Sequence, residues 1–218
     1  MTNQKLKIGM FVAMFAIPIG LFIFLKVFGK NEYRLKILNP ISSDCPRTSE
    51  DTMHRIPNFS FVSQEGKAIT QQNFEGKIYV AEFFFTRCPD ICKVMTSELS
   101  RVQDIFKDYP DVKILSHSVD PLADSVQVLK EYADFNKIDP NFWTLVTGDK
   151  QQIYQQAKCA YFIPVQTGTD GKIDFVHSDK LILIDKEKRI RGYYSGTSRD
   201  EVDRLITEIQ VLLSEYKR

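Results

Sequence analysis

The chain passes from strand to helix through a pair of cysteines, and that junction constrains the fold more than any other stretch. Residues 78–85, IYVAEFFF, are β-branched, aromatic and apolar enough for a strand buried on both faces, as in a central parallel sheet, with Glu82 as the exception. The run gives way through TRCPDICKVM to a helical pattern. With Pro89 in the first turn of that helix, where its missing N–H does no harm, Cys88 falls at the helix N-terminus and Cys92 one turn further on. Residues four apart share a helix face, so the two sulfurs can converge on one metal ion or close a strained, reducible disulfide. The positive end of a helix favours thiolate over thiol, and Arg87 and Lys93 beside the pair push the same way.

The flanking pattern predicts what surrounds the junction. Apolar residues at helical spacing run from about residue 89 to 109, and 112–119 (VKILSHSV) reads as a second strand. A helix through Val126, Leu129 and Tyr132, a short strand at 142–146 and a helix over 149–160 follow. Strands at 181–184 and 190–194 joined by a charged turn form a hairpin, and an amphipathic helix carrying Val202, Leu205, Ile209 and Leu212 ends the chain. A short strand at 59–62 comes first. This order implies an α/β fold with parallel strands, right-handed crossovers and an antiparallel hairpin at one side. A mixed sheet between helices, with a cysteine pair at a strand-to-helix turn, is the thioredoxin-like architecture.

The N-terminus is different in kind. Residues 8–25, IGMFVAMFAIPIGLFIFL, contain no charge and are followed by Lys26. Eighteen helical residues rise roughly 27 Å, close to the hydrocarbon thickness of a bilayer, and Lys26 can reach the interface. No small-x-small cleavage pattern follows, so an uncleaved single-span anchor is expected rather than a signal peptide. Four domains are expected: an N-terminal tail at 1–7, a transmembrane anchor at 8–28, a Pro-containing linker at 29–55 and a thioredoxin-like domain at 56–218. Lys5 and Lys7 precede the span while Lys26, Lys30, Arg34 and Lys36 follow it, so charge asymmetry does not by itself place the domain outside. With net charge +1 and no basic stripe, nothing points to nucleic acid.

The three histidines are His54, His117 and His177. His177 precedes the hairpin strand, a place that faces the cysteine loop in a thioredoxin-like fold. There it would complete a two-sulfur, one-nitrogen set suited to Cu(I), with the imidazole also suiting Cu(II). Structural zinc usually takes a fourth protein ligand, and none is obvious. His117 ends the second strand and is a weaker candidate for the same neighbourhood. Cys45, in the linker, and Cys159, at a helix end, either pair as a disulfide in an oxidising compartment or stand as an incidental free thiol and a buried one.

The chain resembles the Sco/SenC family of membrane-anchored copper proteins associated with cytochrome c oxidase assembly. FFFTRCPDIC matches the family's T-x-C-P-D-x-C segment, SVDPLAD (118–124) its S-V-D-P-x-x-D segment, and His177 with LILIDKEKRI its histidine and hairpin. The likeness extends over about residues 56–215 and the anchor. It implies that Cys88, Cys92 and His177 are metal ligands for copper, Cu(I) or Cu(II), with Asp120 an acidic residue behind the site. Lys93 stands where the family commonly has proline. The function implied is a copper metallochaperone serving the binuclear copper centre in the copper-bearing subunit of cytochrome c oxidase. Other copper chaperones or thioredoxin-like reductases are further partners, and the membrane is reached through the N-terminal helix.

The alternative is a membrane-tethered thiol–disulfide oxidoreductase using the redox-active pair Cys88 and Cys92, in which His177 is dispensable or shuttles a proton. A peroxidase using Cys88 alone fits the paired cysteines less well. Copper delivery to a respiratory oxidase belongs outside the cytoplasm, and no arginine-rich transit pattern is present. A single-pass protein of the bacterial inner membrane, its domain facing the periplasm, is therefore expected.

Overall fold

The computed structural model describes residues 2–28, 34–40, 45, 53–164 and 178–217. His177 lies outside the described residues. The chain divides into two units, one up to Tyr33 and one from Arg34 onward. The first consists of helix α1 (Thr2–Phe28). Its stretch Gly9–Val27 has 19 residues of mean hydropathy 2.3, long and apolar enough to cross a membrane.

The second unit is a seven-stranded mixed sheet flanked by helices. Its strands are β1 (Ser60–Ser63), β2 (Ala68–Thr70), β3 (Ile78–Phe84), β4 (Val112–Ser118), β5 (Trp143–Thr147), β6 (Lys180–Ile184) and β7 (Ile190–Ser195). They lie in the order β2-β1-β5-β4-β3-β6-β7. β3, β4 and β5 run parallel, while β6 pairs antiparallel with β3 and β7 with β6. The helices are α2 (Ile91–Phe106), α3 (Val126–Phe135), α4 (Lys150–Gln155) and α5 (Arg199–Glu215). This is the thioredoxin-like sheet and hairpin that the residue pattern predicts. Two details were not legible. β2 has three residues, none of them buried, and so shows no apolar run. The helix expected over 149–160 is α4 followed by one π-helical turn, Gln156–Ala160.

Every residue of β3 is buried, because each face of the sheet carries its own core. On one face Ile78, Val80 and Phe84 pack with Leu99 and Val102 of α2, Leu129 of α3 and Leu205 of α5, and Cys88 and Cys92 belong to this layer. On the other, Tyr79, Ala81 and Phe83 pack with Phe59, Phe61, Ile153 and Tyr161.

Part of the segment read as a linker is fastened to this unit. Leu35 is buried, and Leu38 N–H donates to Ile190 O at 2.8 Å at the edge of β7. Arg191, whose side chain is only 3% exposed, donates to Leu35 O at 2.6 Å and to Lys36 O at 3.2 Å. The same guanidinium pairs with Asp185 at 3.0 Å and Glu215 at 2.9 Å, and Glu215 also accepts Leu35 N–H. A buried cation needs this many acceptors to offset its lost hydration. Further along, Cys45 and Cys159 form a disulfide with Cα atoms 5.4 Å apart, deciding between the two readings of these thiols.

Glu82 and His117 are buried titratable groups on opposite faces of the β3–β4 ladder. Ser116 O–H donates to Glu82 Oε1 at 2.6 Å, and Trp143 Nε1–H donates to Ser116 Oγ at 2.7 Å. Glu82 Oε2 has no hydrogen-bond partner among the described residues. Burial pushes its carboxyl up to about 7, with the Ser116 bond acting weakly against this. His117 stacks on Phe83 with centroids 4.8 Å apart, and meets Phe61 and Tyr161 edge-on. Its Nδ1–H donates to the Glu82 carbonyl at 3.3 Å, and burial pulls the ring down to about 4. A neutral imidazole in an aromatic box on the face away from the cysteines removes His117, the weaker candidate, from their neighbourhood. The alternation of side chains along β4 put it there.

Two outcomes are expected. The disulfide closes a loop spanning a sequence separation of 114, so replacing both Cys45 and Cys159 by alanine should cost about 2–4 kcal/mol. Urea unfolding of the detergent-solubilised protein, followed by the single tryptophan, Trp143, measures this; an unmoved midpoint contradicts it. The second outcome concerns pH. Glu82 is raised, so between about 4.5 and about 7 the folded chain binds more protons and stability falls as pH rises. His117 is depressed, so between about 4 and 6.5 the folded chain binds fewer protons and stability rises with pH. The slopes oppose each other where they overlap. Glu82→Gln should unmask the His117 slope, a gain of about 3 kcal/mol from pH 4 to 6.5 that wild type shows only weakly. Equal slopes in the two proteins would refute the assignment.

Candidate metal centre

The site grows from the C-terminal ends of β3 and β4. Their parallel register pairs Phe83 with His117 and Phe84 with Ser118, so the loops that follow leave the sheet side by side. One loop is the cysteine segment and the other is Ser118–Asp124. The last ladder bond, Val119 N–H to Phe84 O at 2.8 Å, marks where the sheet stops holding the cysteine segment.

Beyond Phe84 the chain turns through Phe85, Thr86 and Arg87, closed by Cys88 N–H donating to Phe85 O at 3.2 Å. The helix begins at Ile91, two residues later than the sequence pattern implies, so Pro89 precedes the first turn instead of occupying it. Asp90 stands at the N-cap but its side chain makes no capping bond. The sulfur of Cys88 takes that place, accepting the N–H of Cys92 at 3.4 Å. One of the free amide donors at the helix start is therefore satisfied by a cysteine. This contact holds the two cysteines together, at 4% and 5% exposure, and both are free thiols.

Electrostatics around the pair differ from the sequence expectation. Burial pushes the Cys92 thiol well above the ordinary cysteine range, reinforced by its hydrogen bond with Cys88. A backbone bond from Phe85 acts in the opposite direction and is too weak to reverse it. Desolvation thus outweighs the helix terminus and the neighbouring cations at Cys92. Arg87 is turned to Asp120, with Nη2 3.1 Å from Oδ2, and Lys93 is exposed. Asp120, expected behind the site, holds Arg87 at the edge of the cysteine turn. That ion pair is largely solvated and contributes little to stability.

A residue not singled out from the sequence is more deeply placed. Asp124 is 1% exposed and accepts from Thr86 N–H at 3.1 Å, Thr86 O–H at 2.5 Å and Ser118 O–H at 2.6 Å. Its position at the end of S-V-D-P-x-x-D was the available signal. On the inner side, Tyr132 shares a 2.8 Å hydrogen bond with Thr96, and burial pushes its hydroxyl well above the ordinary tyrosine range.

The structure therefore brings together Cys88, Cys92 and, through Arg87, Asp120. Among the described residues no group of three metal-ligating side chains forms. The chain just after His177 returns close to the cysteine helix. Gly196 N–H donates to Asp179 O at 2.6 Å, and a Cβ on Gly196 would meet Met95 Cγ at 3.0 Å and Asp179 O at 3.2 Å. Gly196 thus has as neighbours both Asp179 and Met95, a residue one turn along α2 from Cys92.

Comparison with known proteins gives this geometry a family. The chain matches the SCO1/SenC family model over residues 47–214. The crystal structure of a SCO1/SenC family lipoprotein from Bacillus anthracis superposes with a TM-score of 0.65 at 29% identity, covering 73% of this chain and 95% of that one. BsSco, described as a member of the Sco family of cytochrome c oxidase assembly proteins with a disulfide switch, gives a TM-score of 0.61 at 26% identity, covering 72% and 92%. Arabidopsis thaliana ScoI with copper bound gives 0.57 at 29% identity, covering 74% and 98%. With its cysteine turn, its SVDP loop and its thioredoxin-like sheet all in place, the chain belongs to the SCO1/SenC family.

Proposed function

We propose that this protein is a membrane-anchored copper metallochaperone that takes up copper through Cys88, Cys92 and His177 and delivers it to the binuclear copper centre of cytochrome c oxidase. The observation that carries the reading is the pair of buried thiols held by the Cys88 Sγ contact to Cys92 N–H, in a chain similar to a ScoI that binds copper. Two sulfurs on one turn are a soft donor set, suited to Cu(I). Gly196, which neighbours both Asp179 and Met95 of the cysteine helix, supports His177, two residues before Asp179, as the third ligand. Its imidazole extends the set toward Cu(II).

The chemistry of uptake lies in the thiols. Each sulfur ligates as its thiolate, so binding is coupled to proton release. Burial of Cys92 opposes ionisation in the metal-free protein, which makes ligation the event that favours deprotonation. Release follows the reverse course: an acceptor thiolate or imidazole displaces one ligand and a proton returns to the freed sulfur. The pair must be reduced to bind, so a Cys88–Cys92 disulfide would block uptake. Asp120 holds Arg87 at the rim, where an approaching partner would meet it.

The N-terminal helix anchors the protein in the membrane, and the reading places it in a bacterial inner membrane with the domain on the periplasmic side. The Cys45–Cys159 disulfide supports an oxidising compartment.

Titration of the reduced, detergent-solubilised protein with Cu(I) should saturate at one equivalent. Cys88→Ser and Cys92→Ser should each abolish uptake, and His177→Ala should lose stoichiometric binding. Unchanged stoichiometry and spectrum in His177→Ala would remove that ligand. Retained disulfide-reductase activity with no copper uptake in wild type would favour the oxidoreductase alternative. Added protease should degrade the domain in spheroplasts; a shielded domain would overturn the topology.

A further inference from the structure

We propose that Asp124 is the positioning residue of the Cys88–Cys92 pair. Its carboxylate fixes Thr86 and so sets the turn that brings Cys88 Sγ onto the Cys92 N–H. The inference rests on the reading that the two thiols act as a pair, and it does not depend on which metal or partner they serve.

The argument starts where the sheet ends. Past Phe84 the β3–β4 ladder ends, and the turn is closed by Cys88 N–H to Phe85 O at 3.2 Å, with a backbone bond between Phe85 and Cys92 beside it. Thr86, in the middle of that turn, is held twice by Asp124, through its amide at 3.1 Å and its hydroxyl at 2.5 Å. Asp124 is itself fixed from behind. Ser118 O–H donates to it at 2.6 Å, and its own N–H donates to Asp120 O at 2.8 Å. Ser118 closes the circuit by accepting Asp120 N–H at 3.2 Å. A carboxylate has only acceptors, and here three donors converge on one that is 1% exposed. Such a group is costly to bury without donors. Removing it would strand Thr86 N–H, Thr86 O–H and Ser118 O–H together, directly beneath the turn that carries Cys88.

Geometry rather than charge is the role, and the two can be separated. In Asp124→Asn the amide oxygen can accept from Thr86 N–H and Ser118 O–H, while the amide NH2 donates to a Thr86 hydroxyl turned to accept. The shape survives and the negative charge does not. Asp124→Ala removes both. Thr86→Val removes one of the two ties to the cysteine turn and leaves the amide bond. Gln64→Ala is the control for stability alone. Gln64 bridges to Trp143 O and Leu145 N–H at the start of β5, away from the loops that leave the ends of β3 and β4.

The test uses the full chain in detergent, free of metal. Each variant is equilibrated in glutathione buffers, trapped with acid and mapped by peptide mass, giving the Cys88–Cys92 reduction potential separately from Cys45–Cys159. A second measurement is the rate at which the reduced native protein is alkylated at Cys88 and Cys92. In Asp124→Ala the loosened turn should lower the effective concentration of one thiol at the other about tenfold. That corresponds to a potential about 30 mV less negative. Alkylation should quicken at least about tenfold as the two buried sulfurs become reachable. Thr86→Val should fall between, and Asp124→Asn should stay within about twofold of wild type. Wild-type behaviour of Asp124→Ala, or the same change in Gln64→Ala, would overturn the proposal. So would Asp124→Asn behaving like Asp124→Ala, since charge would then be the cause. If Asp124→Ala fails to fold, Thr86→Val and Asp124→Asn still give the ordering. Failure here leaves copper uptake by wild type untouched, and failure of wild type to take up copper leaves the thiol measurements intact.

Discussion

The parallel register of β3 with β4 is the constraint on which the rest of this protein depends. Pairing Phe84 with Ser118 makes two loops of separate sequence leave the sheet as neighbours. The same register sets Ser116 against Glu82 and His117 against Phe83. A slip by one residue would exchange the faces of β4, sending the imidazole toward the cysteines and the serines into the aromatic box. Burial on both faces specifies the register, because neither face could accept the other's side chains. The cysteine turn thus inherits its geometry from the packing of the whole sheet.

That dependence explains what could be read from the residues. IYVAEFFF and VKILSHSV declare two buried strands, and LILIDKEKRI declares a hairpin, because their apolar content exceeds anything a loop would carry. Cys88 and Cys92 are equally plain, since a pair at a strand-to-helix turn has few structural uses. The start of α2 was less legible. Proline is favoured in the first turn of a helix, but here the Cys88 sulfur accepts a helix-start amide and Pro89 lies before the first turn. Thiol acidity misled for a related reason: charges can be counted along a chain, but desolvation of Cys92 depends on packing from distant segments.

Asp120 and Asp124 show the same limit more sharply. They lie in one short motif, and the family resemblance points to Asp120 alone as an acidic residue behind the site. In the fold Asp120 faces outward to Arg87, and Asp124, one turn further on, faces inward to Thr86. Their spacing alone does not say which carboxylate is buried. Glu82 carried a clearer signal, a single acid in an otherwise apolar strand, whose meaning emerges only with Ser116 and Trp143 beside it.

The fastening of residues 35–38 to the edge of β7 bears on where this protein can be cut. The apolar pattern of the domain starts at Ile56, and a soluble fragment designed from it would begin there. Such a fragment would take from Arg191 two of its carbonyl acceptors, from Glu215 the amide it holds, and from Cys159 its partner. A fragment that keeps these contacts therefore starts at or before Arg34, in residues whose composition reads as connecting chain.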